Sequence, residues 1–238
     1  MTLTCETERV YWLLASLLFL LLVSFLFLLF SPEFVVAISS DKNMRMMYGN
    51  IFDQDKNSNI VVPMDDTFAT DASCKNIAVS SVHGQFLTAF VQGEQDEKEL
   101  RRIIHQKLKQ GGCCLPLGPV PKMLPPQPLG TAIDIDWKDR HFILFAMTEL
   151  DAQTHVTSRS RDEYLATLAK AVRYICKATN GRPTYMPVFG VGHTRLVSSV
   201  TDGVRNMVQA FRQCDAPVKG LHIVMHTRKT LMGIPHDL

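Results

Sequence analysis

The chain has 238 residues, with 25 Lys+Arg against 23 Asp+Glu and a formal net charge of +2. This balance argues against a protein that holds nucleic acid mainly through bulk charge. Hydrophobic residues make up 46% and charged residues 20%, with 12 prolines and 13 glycines, which excludes a disordered chain, a collagen and a coiled coil.

The length suits one domain with an extension, and the extension stands first. Val10–Phe30 is an uninterrupted run without charge, broken in polarity by Ser16 and Ser24. As a helix it reaches roughly 30 Å, the thickness of a hydrocarbon core. Tyr11 and Trp12 fall where an interfacial aromatic belt lies. A cleaved leader has an apolar part of about 7–15 residues behind a basic flank. This run is longer, and its flank sets Glu6 and Glu8 beside Arg9. We therefore expect a single-pass membrane anchor with its linker over residues 1–40. Lys42 and Arg45 follow the run, so the positive-inside rule puts the C-terminal domain, residues 41–238, on the cytoplasmic side of the cell membrane. Cys5, Cys74, Cys113, Cys114, Cys176 and Cys214 form no Cys-x-x-Cys pair and suggest no disulfide framework, in line with a reduced compartment.

Ser31-Pro32 ends the anchor helix. Phe34–Ile38 is an apolar stretch expected at the membrane interface. Asn59–Pro63 reads as a buried strand, and Val82–Gln92 as a helix opened by a His83-Gly84 turn. Asp96–Gln110 reads as a second helix with Asp96 and Glu99 at capping-box spacing. Cys113–Gly130 holds six prolines and is a connector. Thr131–Ile135 and Phe142–Met147 read as a hairpin around Trp137-Lys138-Asp139. Ser160-x-x-Glu163 opens a helix to about Thr179. Thr184–Phe189 is a strand, Leu196–Phe211 a helix and Leu221–Met225 a buried strand. This order predicts an α/β fold, a sheet with helices on its faces.

Charge is uneven. Residues 155–238 hold 12 Lys+Arg and 5 Asp+Glu, net +7, while residues 1–154 hold 13 and 18, net −5. The basic half contains Phe189-Gly190-Val191-Gly192-His193-Thr194-Arg195 between a strand and a helix. Glycines let backbone N–H groups approach an anion, and a helix start adds unpaired N–H groups and partial positive charge. Arg195 adds a candidate bidentate contact to phosphate. The third glycine of a dinucleotide fingerprint and the Gly-Lys-Ser/Thr of a P-loop are missing. Asp134, Asp136, Asp139 and His141 suggest a metal site on paper, but Asp134 and Asp136 would share a solvent face of a strand. Ser81 and His83 lack the Gly-x-Ser-x-Gly setting of a hydrolase nucleophile.

Three further segments complete a pattern: Gly49-Asn50-Ile51, the strand and turn Ile60–Phe68 with Asp65 and Asp66, and Ser81-Val82-His83-Gly84. Together with the loop Phe189–Arg195 they resemble the macrodomain fold, specifically the divergent macrodomain of Thoeris-type bacterial antiphage effectors. The resemblance runs from about Met44 to the end. It implies a three-layer α/β/α sandwich around a mixed sheet, preceded here by the transmembrane helix. It also implies an ADP-ribose-derived nucleotide as ligand, held by Asn50, Ile51, Asp66, Phe68, Ser81, His83, Gly84 and Phe189 through Arg195, including Val191, Gly192, His193 and Thr194. Asn50 stands where the family usually has an aspartate that meets the adenine amino group, and the asparagine of catalytic macrodomains has no counterpart. The expected function is that of a membrane-anchored sensor and effector, a homo-oligomer acting on the lipid membrane without nucleic acid or cofactor and paired with a signal-producing TIR-domain enzyme. A membrane-tethered ADP-ribosylhydrolase or related phosphoesterase is the alternative.

Overall fold

The computed structural model describes residues 3–30, 33–39, 42–71, 77–113, 115, 118–149, 160–191, 197–214, 220–227, 230–231 and 233–234. The chain divides into two units, Met1–Glu33 and Phe34–Leu238. The first is the helix α1, Leu3–Phe30. From Val10 to Leu26 its side chains are exposed on every face, with Leu18, Phe19, Leu20 and Leu21 in succession more than half exposed. Ser16 returns its hydroxyl to the Leu13 carbonyl at 2.9 Å, so its donor is satisfied within the helix. Among the described residues no helix is long and apolar enough to cross a membrane. The anchor stays a proposal.

The second unit is built on a seven-stranded sheet in the order β1-β2-β7-β6-β3-β5-β4. The strands are β1 Glu33–Ser39, β2 Lys42–Tyr48, β3 Asn59–Asp65, β4 Ala132–Trp137, β5 Arg140–Thr148, β6 Thr184–Pro187 and β7 Leu221–Met225. From β2 through β7, β6 and β3 to β5 the neighbours are parallel, and β4 is antiparallel to β5, so the sheet is mixed as expected. Phe34–Ile38, expected at a membrane interface, is instead strand β1. β2 was not foreseen; its alternation puts Met44 and Met46 inward and Arg45 outward.

Helices α2 Val82–Phe90 and α3 Gly93–Gln110 cover one face, with α4 Arg161–Ala178 and α5 Val200–Arg212 on the other. The first face buries Ile60, Val62, Phe86, Leu100, Ile104 and Phe142, the second Val61, Ile143, Leu168, Ile175, Met207 and Ile223. Successive β3 residues therefore feed opposite cores, as a strand buried on both faces must. The Ser160 capping box forms in full: Glu163 N–H donates to Ser160 Oγ at 3.3 Å and Ser160 N–H to Glu163 Oε2 at 3.1 Å. The hairpin turn sets Lys138 and Asp139 at φ 49° and 59°, both left-handed, as a tight turn matched to strand twist requires.

Two helix starts differ from expectation. α2 is opened by Ser81, with His83 and Gly84 inside its first turn. α3 begins at Gly93, and Asp96, expected as its cap, instead accepts from Gln92 N–H at 2.9 Å and pairs with Lys138 at 2.9 Å.

Candidate functional site

The parallel strands deliver the candidate segments to one edge of the sheet, outside their carboxyl ends, where open α/β sheets bind ligands. β3 and β6 pair only at Asn59↔Thr184 and Ile60↔Tyr185. Asn59 N–H donates to Pro183 O at 2.8 Å, so it faces β6. Alternation turns the nitrogen of Pro63 the same way, and proline has no N–H to give. The β3–β5 ladder runs on to Asp65↔Thr148, while the hydrogen-bonded pairing of β3 with β6 stops after Ile60↔Tyr185, where Pro187 of β6 and then Pro63 bring no backbone donor to the other strand. Beyond that point lie the turn after β3 and the loop after β6.

The turn after β3 is organised by Asp65, 4% exposed. Its Oδ1 accepts from Thr67 N–H at 2.8 Å, Thr67 Oγ1 at 2.6 Å and Ala69 N–H at 3.3 Å. Phe68 adopts φ 49°, a strained setting for a bulky residue, with its ring buried in the core. Asp66 is buried, and its carbonyl receives Gln127 N–H at 2.8 Å from the proline-rich connector.

His83 meets this turn from α2. Its Nε2 lies 2.8 Å from the Ala69 carbonyl, an acceptor, and so carries the ring proton. Its Nδ1 faces Asp65 Oδ2 at 3.5 Å. Burial holds His83 below its ordinary pKa of 6.5, against the opposing pull of the Asp65 carboxylate and the Ala69 carbonyl. A neutral ring with its proton on Nε2 has none on Nδ1, which explains why buried Oδ2 lacks a hydrogen-bond donor. This contact is therefore a close approach, not an ion pair.

Ser81 Oγ accepts from Gly84 N–H at 3.0 Å and donates to the Ala78 carbonyl at 2.6 Å. The hydroxyl proton is thus committed away from His83, and the two form no nucleophile–base pair. Gly84 is required by space: a Cβ there would stand 2.3 Å from Ala78 O.

At the other wall, Phe189 is buried and edge-on to Phe145, centroids 5.0 Å apart. Its N–H points at Met207 Sδ, 3.4 Å away, and its carbonyl accepts from Tyr164 Oη at 3.1 Å. Gly190 follows at φ 78°. Val197 N–H closes the loop onto Gly190 O at 3.1 Å. The helix behind it starts at Val200, with Ser199 Oγ accepting from Asp202 N–H at 3.1 Å. Hydrogen bonds from Ser199 and Ser198 hold the Asp202 carboxyl below its usual range. Gly192, His193, Thr194 and Arg195 lie outside the described residues.

Gly49 and Asn50 leave β2 at the same edge, with Gly49 N–H on Met225 O at 2.8 Å. Ile51 is buried. The structure thus gathers Asn50, Asp66 and the residues from Phe189 to Val191 along one edge, while the rings or side chains of Ile51, Phe68 and Phe189 point into the core. An open cleft of about 740 Å³ lies along α3, lined among others by Asp71, Glu97, Arg101 and Lys122 and by none of the expected site residues. Among the described residues no group of three or more His, Cys, Asp or Glu could hold a metal ion; Asp136 is taken by His141 at 2.8 Å and Asp134 by Tyr174 at 2.7 Å.

Residues 44–226 match the family described as Thoeris protein ThsA, Macro domain. The chain belongs to the Thoeris ThsA macrodomain family. A variant of the Oceanobacillus iheyensis macrodomain with ADPR is 14% identical, with 84% of this chain and 93% of that one covered and a TM-score of 0.56. The same organism's macrodomain with ADP is also 14% identical, covering 84% and 91% with a TM-score of 0.54. These likenesses establish the macrodomain fold. No curated protein matches the chain.

Within this Thoeris macrodomain the Asn50 carboxamide is oriented by its neighbours. Oδ1 accepts from Phe52 N–H at 3.0 Å, and Nδ2 donates to Asp53 Oδ1 at 3.2 Å. Asp65, Tyr164 and Gly203 were not named as site residues from sequence. Asp65-x-Thr67 carried a signal, since an aspartate two residues before a threonine caps its own turn. Nothing local marked the other two.

Proposed function

We propose that this Thoeris macrodomain protein is a membrane-anchored sensor and effector of antiphage defence that binds an ADP-ribose-derived nucleotide. The observation that carries the reading is that Gly49-Asn50, the Asp65–Phe68 turn and the Phe189–Val191 loop all follow the carboxyl ends of the parallel strands β2, β3 and β6. Macrodomains of the same fold are found with ADPR and with ADP, ligands whose diphosphate suits loops at the carboxyl ends of parallel strands. Binding without turnover is favoured because Ser81 and His83 are each committed to a backbone carbonyl. The all-round apolar surface of α1 supports an anchor. A lone apolar helix forms no pore, so action on the membrane requires several chains, gathered by a ligand that prefers the assembled form. A TIR-domain enzyme is the proposed source of the nucleotide.

The test uses the full-length protein in detergent, with ADP-ribose and its conjugates, recording melting shift and product together. A melting shift without product is expected, and Gly192→Val should abolish it. Turnover of ADP-ribose conjugates would overturn the sensor reading, and resistance to alkaline carbonate extraction from membranes tests the anchor. Reconstituted in vesicles, saturating ligand should raise oligomer size and dye leakage; no change in either removes membrane action.

A further inference from the structure

We infer that Tyr164 is a positioning residue for the Phe189–Val191 loop, fixing the backbone that faces the ligand without touching the ligand itself. The inference rests on reading that loop as the nucleotide's diphosphate site.

Phe189 is the point at which the loop is held. Both its backbone groups turn inward, the N–H to Met207 of α5 and the carbonyl to Tyr164 of α4. Its ring is fixed on Phe145 of β5. Three elements thus converge on one residue, and the left-handed Gly190 follows it directly. The fit is close. A Cβ on Gly190 would stand 2.7 Å from Tyr164 Cε2, and one on Gly203 would stand 2.7 Å from Val188 Cγ1 and 2.9 Å from Val191 Cγ2. Tyr164 therefore meets the loop twice, by hydroxyl at Phe189 and by ring edge at Gly190.

The hydroxyl is a permanent donor. Burial pushes its pKa up to about 12, so it keeps its proton throughout the working range. Without it the Phe189 carbonyl, in a buried setting, loses its donor and turns toward water. Anion recognition by backbone N–H groups depends on their direction, so a small rotation at Phe189–Gly190 weakens a diphosphate contact while leaving a base-and-sugar contact as it was.

The experiment compares Tyr164→Phe with Tyr174→Phe in the full-length protein. Tyr174 lies on the same helix, but its hydroxyl bonds Asp134, away from the loop. Affinities for ADP-ribose and for adenosine are measured, together with amide exchange at Phe189–Val191 without ligand. We expect Tyr164→Phe to weaken ADP-ribose about tenfold, to leave adenosine unchanged and to speed exchange in the loop, with Tyr174→Phe doing none of these. Equal loss for both ligands assigns Tyr164 a general structural role and overturns the inference, as does unchanged ADP-ribose affinity. If the parent protein binds no ADP-ribose, the ligand reading fails, and exchange still decides whether Tyr164 holds the loop: faster exchange supports the hold and unchanged exchange refutes it.

Discussion

His83 Nδ1 stands 3.5 Å from the buried Asp65 Oδ2, and no proton lies between them while the ring is neutral. The α2 histidine and the β3 turn are thus joined on one side by the Ala69 carbonyl and merely adjacent on the other. Because burial depresses the folded His83 pKa below its unfolded value of 6.5, the unfolded chain takes up a proton first as pH falls. Stability from this group is complete above 6.5 and declines below it. The parent should lose more melting temperature between pH 7.5 and 5.5 than His83→Gln, which titrates nothing there. A parent that gains stability on acidification, relative to that variant, would show the ring to be charged in the fold.

Asp65→Ala removes the acceptor of three hydrogen bonds at a buried site and leaves Thr67 and Ala69 donors without it. A loss on the order of 2–4 kcal/mol in urea unfolding is expected. Asp65→Asn, which keeps one oxygen in place, should recover part of it. A loss under about 0.5 kcal/mol for the alanine would mean that the turn does not depend on this carboxylate.

Glycine-to-alanine exchange in a helix is usually stabilising by about 0.5–1 kcal/mol. Gly203→Ala should instead destabilise, because α5 lies against Val188 and Val191 there. Gly190→Ala combines a contact with Tyr164 and a left-handed φ, and should cost roughly 2 kcal/mol or more. Melting curves of the two variants test this, and a rise in either would show that the loop is not packed as described.

Asn50→Asp restores the residue type usual in the wider fold, yet it should destabilise here. The new carboxylate would face Asp53 Oδ1 across the position of a 3.2 Å hydrogen bond. In this exposed setting the cost is about 0.5–1 kcal/mol at pH 7. Adding Asp53→Asn should recover it, and no recovery would place the cause elsewhere.

What could be read from the sequence was local chemistry. The Ser160 box, the Lys138-Asp139 turn and the buried Leu221–Met225 strand are decided by nearest neighbours and polarity, and each lies where expected. β2 escaped because Met44–Met47 has no strong strand preference and pairs with β7, far downstream in sequence. Asp96 misled because capping-box spacing does not say which residue starts the helix. The family and its fold were legible through the resemblance of these segments to macrodomains. The inward turn of Phe189 and the tautomer of His83 were not, since both depend on partners supplied by other elements.

Pro63 carries one more consequence. With Pro187 of β6, whose nitrogen turns toward β3, it ends the β3–β6 ladder after Ile60↔Tyr185 through missing backbone donors and not through any side chain. Where that ladder ends therefore depends on the two prolines and not on the residues that border them. Substitutions in the bordering loops can change the chemistry presented at this end of the sheet without moving the point at which the two strands stop pairing.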